Sequence, residues 1–476
     1  CMTIKHFLSA FLFSGAVLAQ NKQLLYDFTE IPQSLMQNPG ASTNFRLHVG
    51  MPLLSGVYVN AGSSGFNIYD IFADDGVSIN TKIRNLIFTA SSNDVMALNQ
   101  QLELFNIGFK PKGWYSKDYY SLGMYQEIDA YSYWPRDLAV LAYEGNATNL
   151  GVPFNLGHIT AKGELLTVFH FGVNRKVNDK FTAGIRGKIY SGIIDFTSTS
   201  NSGFFRTTQG DRNIYNHILD ANLMLQTSGY ASLREIESED TSDGARQVLR
   251  EFRKRAFFGG DLGLGLDLGF TYSPNERVTY TGSILDIGFI HHSNDVETYT
   301  LNERYEWDGL EFVFPELIND NGTNDYWQDF ENELEGLVDT VNTSYTTWRP
   351  VKLNASVKYA FGRPTSRECN CRAQEREFQN QIGAQLFAMS TPRQPRVALT
   401  AFYYRRLFDF LRLKATYTVD KFSKSNVGLG ASAHLGNVNF YILADNLLEY
   451  QNLADANILS IQFGFNFIIK DSDKPY

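Results

Sequence analysis

From Leu459 to Ile469 the chain alternates almost without a break. Leu459, Ile461, Phe463, Phe465, Phe467 and Ile469 fall on one face, and Ser460, Gln462, Gly464 and Asn466 on the other. A period of two with one greasy and one small polar face is what a β-strand needs between an apolar medium and a wet or polar interior. The pattern recurs in segments close to the ~9 to 11 residues that a tilted strand needs to cross hydrocarbon. Val351 to Phe361 alternates with Lys352, Asn354, Ser356 and Lys358; Leu411, Leu413, Ala415, Tyr417 and Val419 alternate with Arg412, Lys414, Thr416 and Thr418. Val427 to Leu435 and Leu262 to Phe270 interleave apolar residues with Gly, Ser, His and Asp. A soluble sandwich would carry charge on its outer face, whereas here the second face is rich in Gly, Ser, Thr and Asn, which suits a crowded, hydrated barrel interior. The prediction is an all-β, transmembrane antiparallel β-barrel of about fourteen strands, within roughly twelve to sixteen. Leu411, Leu413, Leu459, Ile461, Phe463, Phe465 and Phe467 are its expected lipid-facing residues.

Fourteen candidate strands begin near residues 98, 119, 160, 180, 217, 258, 277, 351, 380, 396, 411, 425, 438 and 457. With both ends in the periplasm, 273–276 and 436–437 become tight periplasmic turns, and 231–257 and 291–350 long extracellular loops. The connection 197–216 is then an awkwardly long periplasmic one. Residues 1–19, with Lys5 and His6 before an apolar run ending at Val17-Leu18-Ala19, read as a secretory signal peptide, with Cys1 extraneous. Residues 20–97 are expected to form an N-terminal plug or a first hairpin, and 98–476 the barrel. A helix over Ile79 to Ile87 has a face to bury, the lumen being one place for it.

No stretch after residue 19 reaches the ~18 apolar residues of a membrane helix. A mean hydropathy of −0.25 accords with a barrel, whose polar face offsets its greasy one. Aromatic residues make up 14% of the chain, with 36 Phe and 26 Tyr, a supply that interfacial girdles consume. A net charge of −9 argues against nucleic-acid binding. Cys369 and Cys371 are too close for an easy disulfide and lack a second pair for zinc, so they read as loop residues.

Between His291 and Arg349 there are fourteen Asp or Glu against two Arg. Tyr305, Trp307, Phe312, Phe314, Tyr326 and Trp327 lie among them, and aromatics amid charge suit a docking surface for protein partners. A solvated cap is the plain alternative, and the oxygen-rich 319–325 run departs from EF-hand spacing. Residues 245–257 form a short amphipathic pattern in which Arg246, Arg250, Arg253, Lys254 and Arg255 surround Val248, Leu249 and Phe252. Such a face suits anionic headgroups, lipopolysaccharide phosphate or the chain's own acidic loop. Nucleophile elbows, zinc-protease motifs and phosphate loops are absent from the sequence. His291, His292 and Asp295, or His434 with Ser432, are chance neighbours on this reading, and no catalytic, metal or cofactor site is expected.

The run Leu24-Leu25-Tyr26-Asp27-Phe28, then Ile31 to Ala41, Gly50-Met51-Pro52 and Ser55-Gly56 resembles the DUF5723 type of Bacteroidota outer-membrane proteins. Asn38-Pro39-Gly40-Ala41 is similar to an Asn-Pro-Ala motif near the start of FadL-like fatty-acid transporter barrels and of PorV-like barrels of type IX secretion. This chain has Gly40 where those relatives usually carry Ala. The resemblance implies a fourteen-stranded barrel with an N-terminal segment, marked by Asn38, Pro39 and Gly40, in the lumen. It implies one of two functions: an accessory or scaffold subunit of an outer-membrane complex, or a transporter of hydrophobic small molecules. The acidic aromatic loop favours the first. A transporter needs a break in the wall that opens sideways and an apolar pocket between plug and wall. On the barrel reading, a charge at Leu413 or Phe463 impairs assembly, and Lys414→Ala or Gln462→Ala is mild.

Overall fold

The computed structural model describes residues 22–111, 117–210, 215–238, 244–308, 338–364, 378–421, 426–451 and 456–470. In chain order the strands are β1 (Phe45–Gly50), β2 (Val57–Ser63), β3 (Val95–Phe109), β4 (Asp118–Tyr133), β5 (Phe154–Asn155), β6 (Ala161–Lys176) and β7 (Phe181–Ser198). Then come β8 (Ser202–Gln209), β9 (Tyr215–Ser228), β10 (Asp261–Tyr272), β11 (Val278–His292), β12 (Val296–Asp308), β13 (Asp339–Val341) and β14 (Tyr345–Trp348). The last are β15 (Lys352–Pro364), β16 (Phe378–Met389), β17 (Arg396–Arg406), β18 (Leu411–Val419), β19 (Asn426–Leu435), β20 (Val438–Asp445) and β21 (Ile458–Lys470).

The wall is a closed antiparallel barrel of fourteen strands. β1 and β2 are two pieces of one wall strand, since each pairs with β21 on one side and β3 on the other. β14 and β15 likewise continue one another along β11. Closure of β21 onto β1 and β2 leaves no sheet edge, the condition for spanning hydrocarbon with strands. Period-two alternation sets the two faces: along β17, Val397, Leu399 and Tyr403 stand outward and exposed, while Arg396, Thr400, Phe402, Tyr404 and Arg406 are buried inside. The other outward residues include Leu264, Phe270, Leu386, Leu429, Ile461, Phe465 and Phe467. An apolar exterior around a polar interior makes the chain an integral outer-membrane barrel.

Short connections at 177–180, 273–277, 407–410 and 436–437 lie at the end where β21 finishes, and the helix-bearing connections at the opposite end. Such barrels place short turns in the periplasm and long loops outside. Two placements differ from the sequence reading. The strand expected near 217, β9, is not part of the wall: it pairs with β8, β12 and only the tip of β7, forming a sheet that extends the extracellular rim. Residues 197–210 and β9 therefore lie outside rather than in the periplasm. The wall strand that restores the count is the interrupted β1/β2, which is neither a hairpin nor a plug. Its short apolar pieces conceal it, because six residues between them belong to neither strand.

The helices α1 (Ile68–Phe72), α2 (Ile79–Thr89), α3 (Arg136–Glu144), α4 (Ala231–Ser238) and α5 (Gly244–Lys254) all fall in these outer connections. α2 packs on α1 and α3 rather than in the lumen. Its buried Lys82 is held by Asp75 at 2.8 Å.

Candidate functional site: a latched interruption of the wall

The lumen is filled from below by residues 22–41, a series of turns ending in the 3-10 helix Pro32–Met36 and the Asn38-Pro39-Gly40 turn. Leu24, Leu25, Phe28 and Ile31 pack on the inward Tyr404, Tyr441 and Leu443. The plug's main chain is gripped by wall side chains. Asn174 donates to the carbonyls of Pro39 and Ala41 at 2.7 and 2.8 Å, and Ser283 to that of Gln37 at 2.6 Å. Arg186 reaches the Leu35 carbonyl, and Lys414 those of Leu24 at 3.1 Å, Gln23 and Tyr26. Asn38 donates to the Phe270 carbonyl at 3.1 Å and accepts from the Gly40 N–H at 2.9 Å. The turn sits so close to β7 and β10 that a Cβ on Gly40 would overlap Gly269, and one on Gly184 would overlap the Pro39 carbonyl. This close approach accounts for Gly40 where an alanine would be expected.

The extracellular half is closed by charge. Lys188 bridges Asp267 and Asp286 at 2.9 and 2.6 Å, and Lys352 joins Asp286 at 2.9 Å. Arg349, fully buried, crosses the lumen to Glu127 at 3.2 Å and to Glu164. A bulge in β11 puts Asp286 at φ 61° and turns its carboxylate into this network.

Opposite the charge network, the first wall strand is interrupted. Seven steps from Gly50 to Val57 are met by three along β21, from Asn466 to Phe463. The surplus leaves the wall as an outward knuckle, with Met51, Pro52, Leu53 and Leu54 exposed, Met51 at 52% and Leu53 at 53%. Few cross-strand bonds remain: Met51 N to the Phe465 carbonyl at 3.0 Å, Phe465 N to that of Leu54 at 2.9 Å, Leu53 N to that of Leu104 at 3.4 Å and Glu103 N to that of Gly56 at 2.8 Å. Pro52 has no N–H, and Leu53 adopts φ 64°, so the ladder cannot run through them. Behind the knuckle Ser55 is buried, its carbonyl accepting from Tyr441 Oη at 2.9 Å. It lies over Gly464, where any side chain would overlap it.

One plug residue ties the two flanks of this gap together. The Gln33 amide donates to Glu103 Oε2 on β3 and to Asn466 Oδ1 on β21, each at 2.9 Å, and accepts from Asn466 Nδ2 at 3.0 Å. Asn466 faces Gly50 across the ladder, and the Glu103 N–H donates to the Gly56 carbonyl. Asn106 supports Glu103 Oε1 at 3.1 Å and faces His48. Beside this latch lies a small cavity, just large enough for a water, lined among others by Lys22, Gln33, Tyr58, Gln101, Glu103 and Gln462. It is water-sized, and the apolar Leu25 and Met36 share its lining with these polar groups.

The sequence-derived residues divide. Asn38, Pro39 and Gly40 meet at the foot of the plug, and Ile461, Phe465 and Phe467 stand on the outer face with Leu411, Leu413, Leu459 and Phe463 in register beside them. Tyr305 and Trp307 lie in β12, paired with Leu219 and His217 of the rim extension. Phe312, Phe314, Tyr326 and Trp327, the 319–325 run, and Cys369 and Cys371 lie outside the described residues. Among the described residues no cluster of His, Cys, Asp and Glu is arranged to hold a metal. His292 is buried between Asp261 and Thr347, each at 2.9 Å, while His291 faces Thr346 and Asp295 accepts from Ser232 N at the start of α4. His434 and Ser432 both face Asn439. The meeting of Gln33, Glu103 and Asn466 escaped the sequence reading: Asn466 stood there only as a polar-face residue of the last strand and Gln33 only as part of the Ile31 to Ala41 run.

A closed fourteen-stranded barrel with an internal plug and a first wall strand interrupted by a knuckle defines the class. The chain belongs to DUF5723, a family of unknown function whose model matches residues 39–445. No curated protein matches it in sequence. Among solved structures it is similar to a FadL homologue of Pseudomonas aeruginosa, at 10% identity and a TM-score of 0.43, covering 96% of this chain and 100% of that one. The toluene transporter TbuX of Ralstonia pickettii matches at 10% identity and a TM-score of 0.39, covering 93% and 94%. TodX, the toluene transporter of P. putida, matches at 9% and 0.37, covering 95% of each chain.

Proposed function

We propose that this protein carries hydrophobic small molecules across the outer membrane and releases them sideways through the wall at residues 51–56. The observation that carries the reading is the interruption of the first wall strand, latched from inside by Gln33. Axial passage is blocked by the plug below and by the buried ion pairs above. At the knuckle few main-chain bonds cross the wall, and its outer surface is apolar. Movement of the 3-10 helix that holds Gln33 would free Glu103 and Asn466 together, coupling plug displacement to opening of the gap. A ligand that binds the displaced arrangement better would shift the population toward it. The docking-subunit reading finds no comparable support, its residues being either strand residues of the rim extension or outside the described chain.

Removing Pro52 to Ser55 tests the proposal. Four residues are an even number, so the alternation of faces survives and the wall strand becomes continuous with β21. Uptake of a fluorescent long-chain fatty acid into cells expressing the shortened chain is expected to fall to background, with the barrel still showing heat-dependent gel mobility. Gln33→Ala is expected to raise uptake. Wild-type uptake by an assembled barrel lacking the knuckle would sink the lateral route.

A further inference from the structure

We propose that α5 and the turn after it form a binding surface for the phosphate groups of an outer-leaflet glycolipid, at the extracellular edge of the apolar band. The turn, Arg255–Gly259, is fixed to the outside of the wall. Arg255 is buried, and its guanidinium donates to the Ile193 carbonyl at 2.6 Å and to Ser228 Oγ at 2.9 Å, with Asp261 Oδ2 at 3.4 Å. The Ser191 hydroxyl, on the outward side of β7, donates to the Arg255 carbonyl at 2.7 Å and accepts from the Phe258 N–H at 3.0 Å. Phe258 adopts φ 65°, a conformation bulky residues rarely take, and its ring stacks on Phe169 of β6 at 4.4 Å between centroids. Phe257 meets the same ring edge-on.

Both phenylalanines remain exposed, Phe257 at 57%. The chain then enters β10, whose Leu262, Leu264, Leu268 and Phe270 face outward into lipid. The turn therefore continues the lipid-facing band upward, and α5 is attached to its top. At 100° per residue Val248, Leu249 and Phe252 occupy one arc of α5, and Arg246, Arg250, Arg253 and Lys254 the adjoining arc. Val248 and Leu249 are exposed, Leu249 at 54%, as are Arg250 and Arg253. An exposed apolar strip bordering a cationic face is the form of a helix lying in a membrane interface. Guanidinium forks match phosphate oxygens in geometry as well as charge. Continuity with the lipid-facing band assigns the phosphate to a lipid headgroup rather than to a soluble anion.

The test uses the full chain in nanodiscs of phosphatidylcholine containing either lipid A or its dephosphorylated form, with retained lipid read by native mass spectrometry after detergent extraction. Wild type is expected to retain lipid A in preference to the dephosphorylated lipid. The double variant R250Q/R253Q, at exposed positions that leave heat-dependent gel mobility intact, is expected to lose about thirtyfold of that preference, since each of the two basic groups near an anionic surface contributes about 1 kcal/mol. Hydrogen exchange of residues 244–259 in the wild type is expected to slow when lipid A replaces its dephosphorylated form. Equal retention of the two lipids, an unchanged preference in the double variant, or unchanged exchange would each overturn the proposal. So would binding that appears only after residues 309–337 are removed, because it would place the basic face on the chain's own acidic segment.

Discussion

Gly184 and Lys414 control the plug from two sides of the lumen. At Gly184 the absence of a side chain lets the Pro39 carbonyl rest on β7, and Gly184→Ala puts a methyl where that oxygen lies. Overpacking of this kind costs about 1 to 3 kcal/mol. Lys414 was expected to tolerate alanine, as an inward polar residue facing water. It is instead buried, with its ammonium over the Phe402 ring and against three plug carbonyls. Lys414→Ala strips these carbonyls of their donor in a site closed to solvent, at a cost of about 1 to 3 kcal/mol. Both variants are expected to assemble, with residues 22–41 cut by protease roughly tenfold faster or more than in wild type, as read by mass spectrometry of the products. Resistance equal to wild type in both would mean that the plug is not held by these contacts.

The strands themselves depend on which face a residue occupies. Phe463 points outward from β21, between Val57 and Ile442 in the ladders, and Gln462 is buried inside. Phe463→Arg is expected to reduce the assembled fraction on heat-dependent gel mobility, an arginine on the lipid face near the midplane costing roughly 2 to 4 kcal/mol. Gln462→Ala is expected to leave assembly near wild type, and a comparable loss in both would reverse the faces. This alternation was open to reading because each outward position is chosen by the same solvent, hydrocarbon, along the strand's whole length. β1 and β2 were harder: each is short, and what separates them is a knuckle whose length is set by register against β21. β9 misled for the converse reason. Alternation of residue types does not say which sheet a strand joins, and β9 pairs with β8 and β12 beyond the wall.

At the scale of the whole molecule, the plug and the ion-pair network obstruct the lumen in series. Buried pairs such as Lys188 with Asp286 bind side chains from different strands into one obstruction, and removing one partner strands the other without water. The intact protein in a planar bilayer is therefore expected to hold conductance near the bare-membrane baseline. Deleting residues 22–41 removes the lower obstruction and is expected to give discrete openings, their size set by the charge network that remains. Large, steady conductance in the undeleted protein would contradict a sealed lumen and the lateral route with it.

Solvent contrast along each strand, read directly from the order of residues, determined that this chain is an outer-membrane barrel and which strand faces are apolar; the placing of its N-terminal Asn-Pro-Gly turn in the lumen came only as an implication of family resemblance. Local pattern also located the amphipathic helix near residue 250. What only the tertiary structure decided is the meeting of Gln33 with Glu103 and Asn466, since these lie 70 and 433 residues away along the chain. Periodicity carries no information about partners at that separation. Barrel closure brings the last strand beside the first, and only then does the interruption at residues 51–56 become a gap in a wall with a latch behind it.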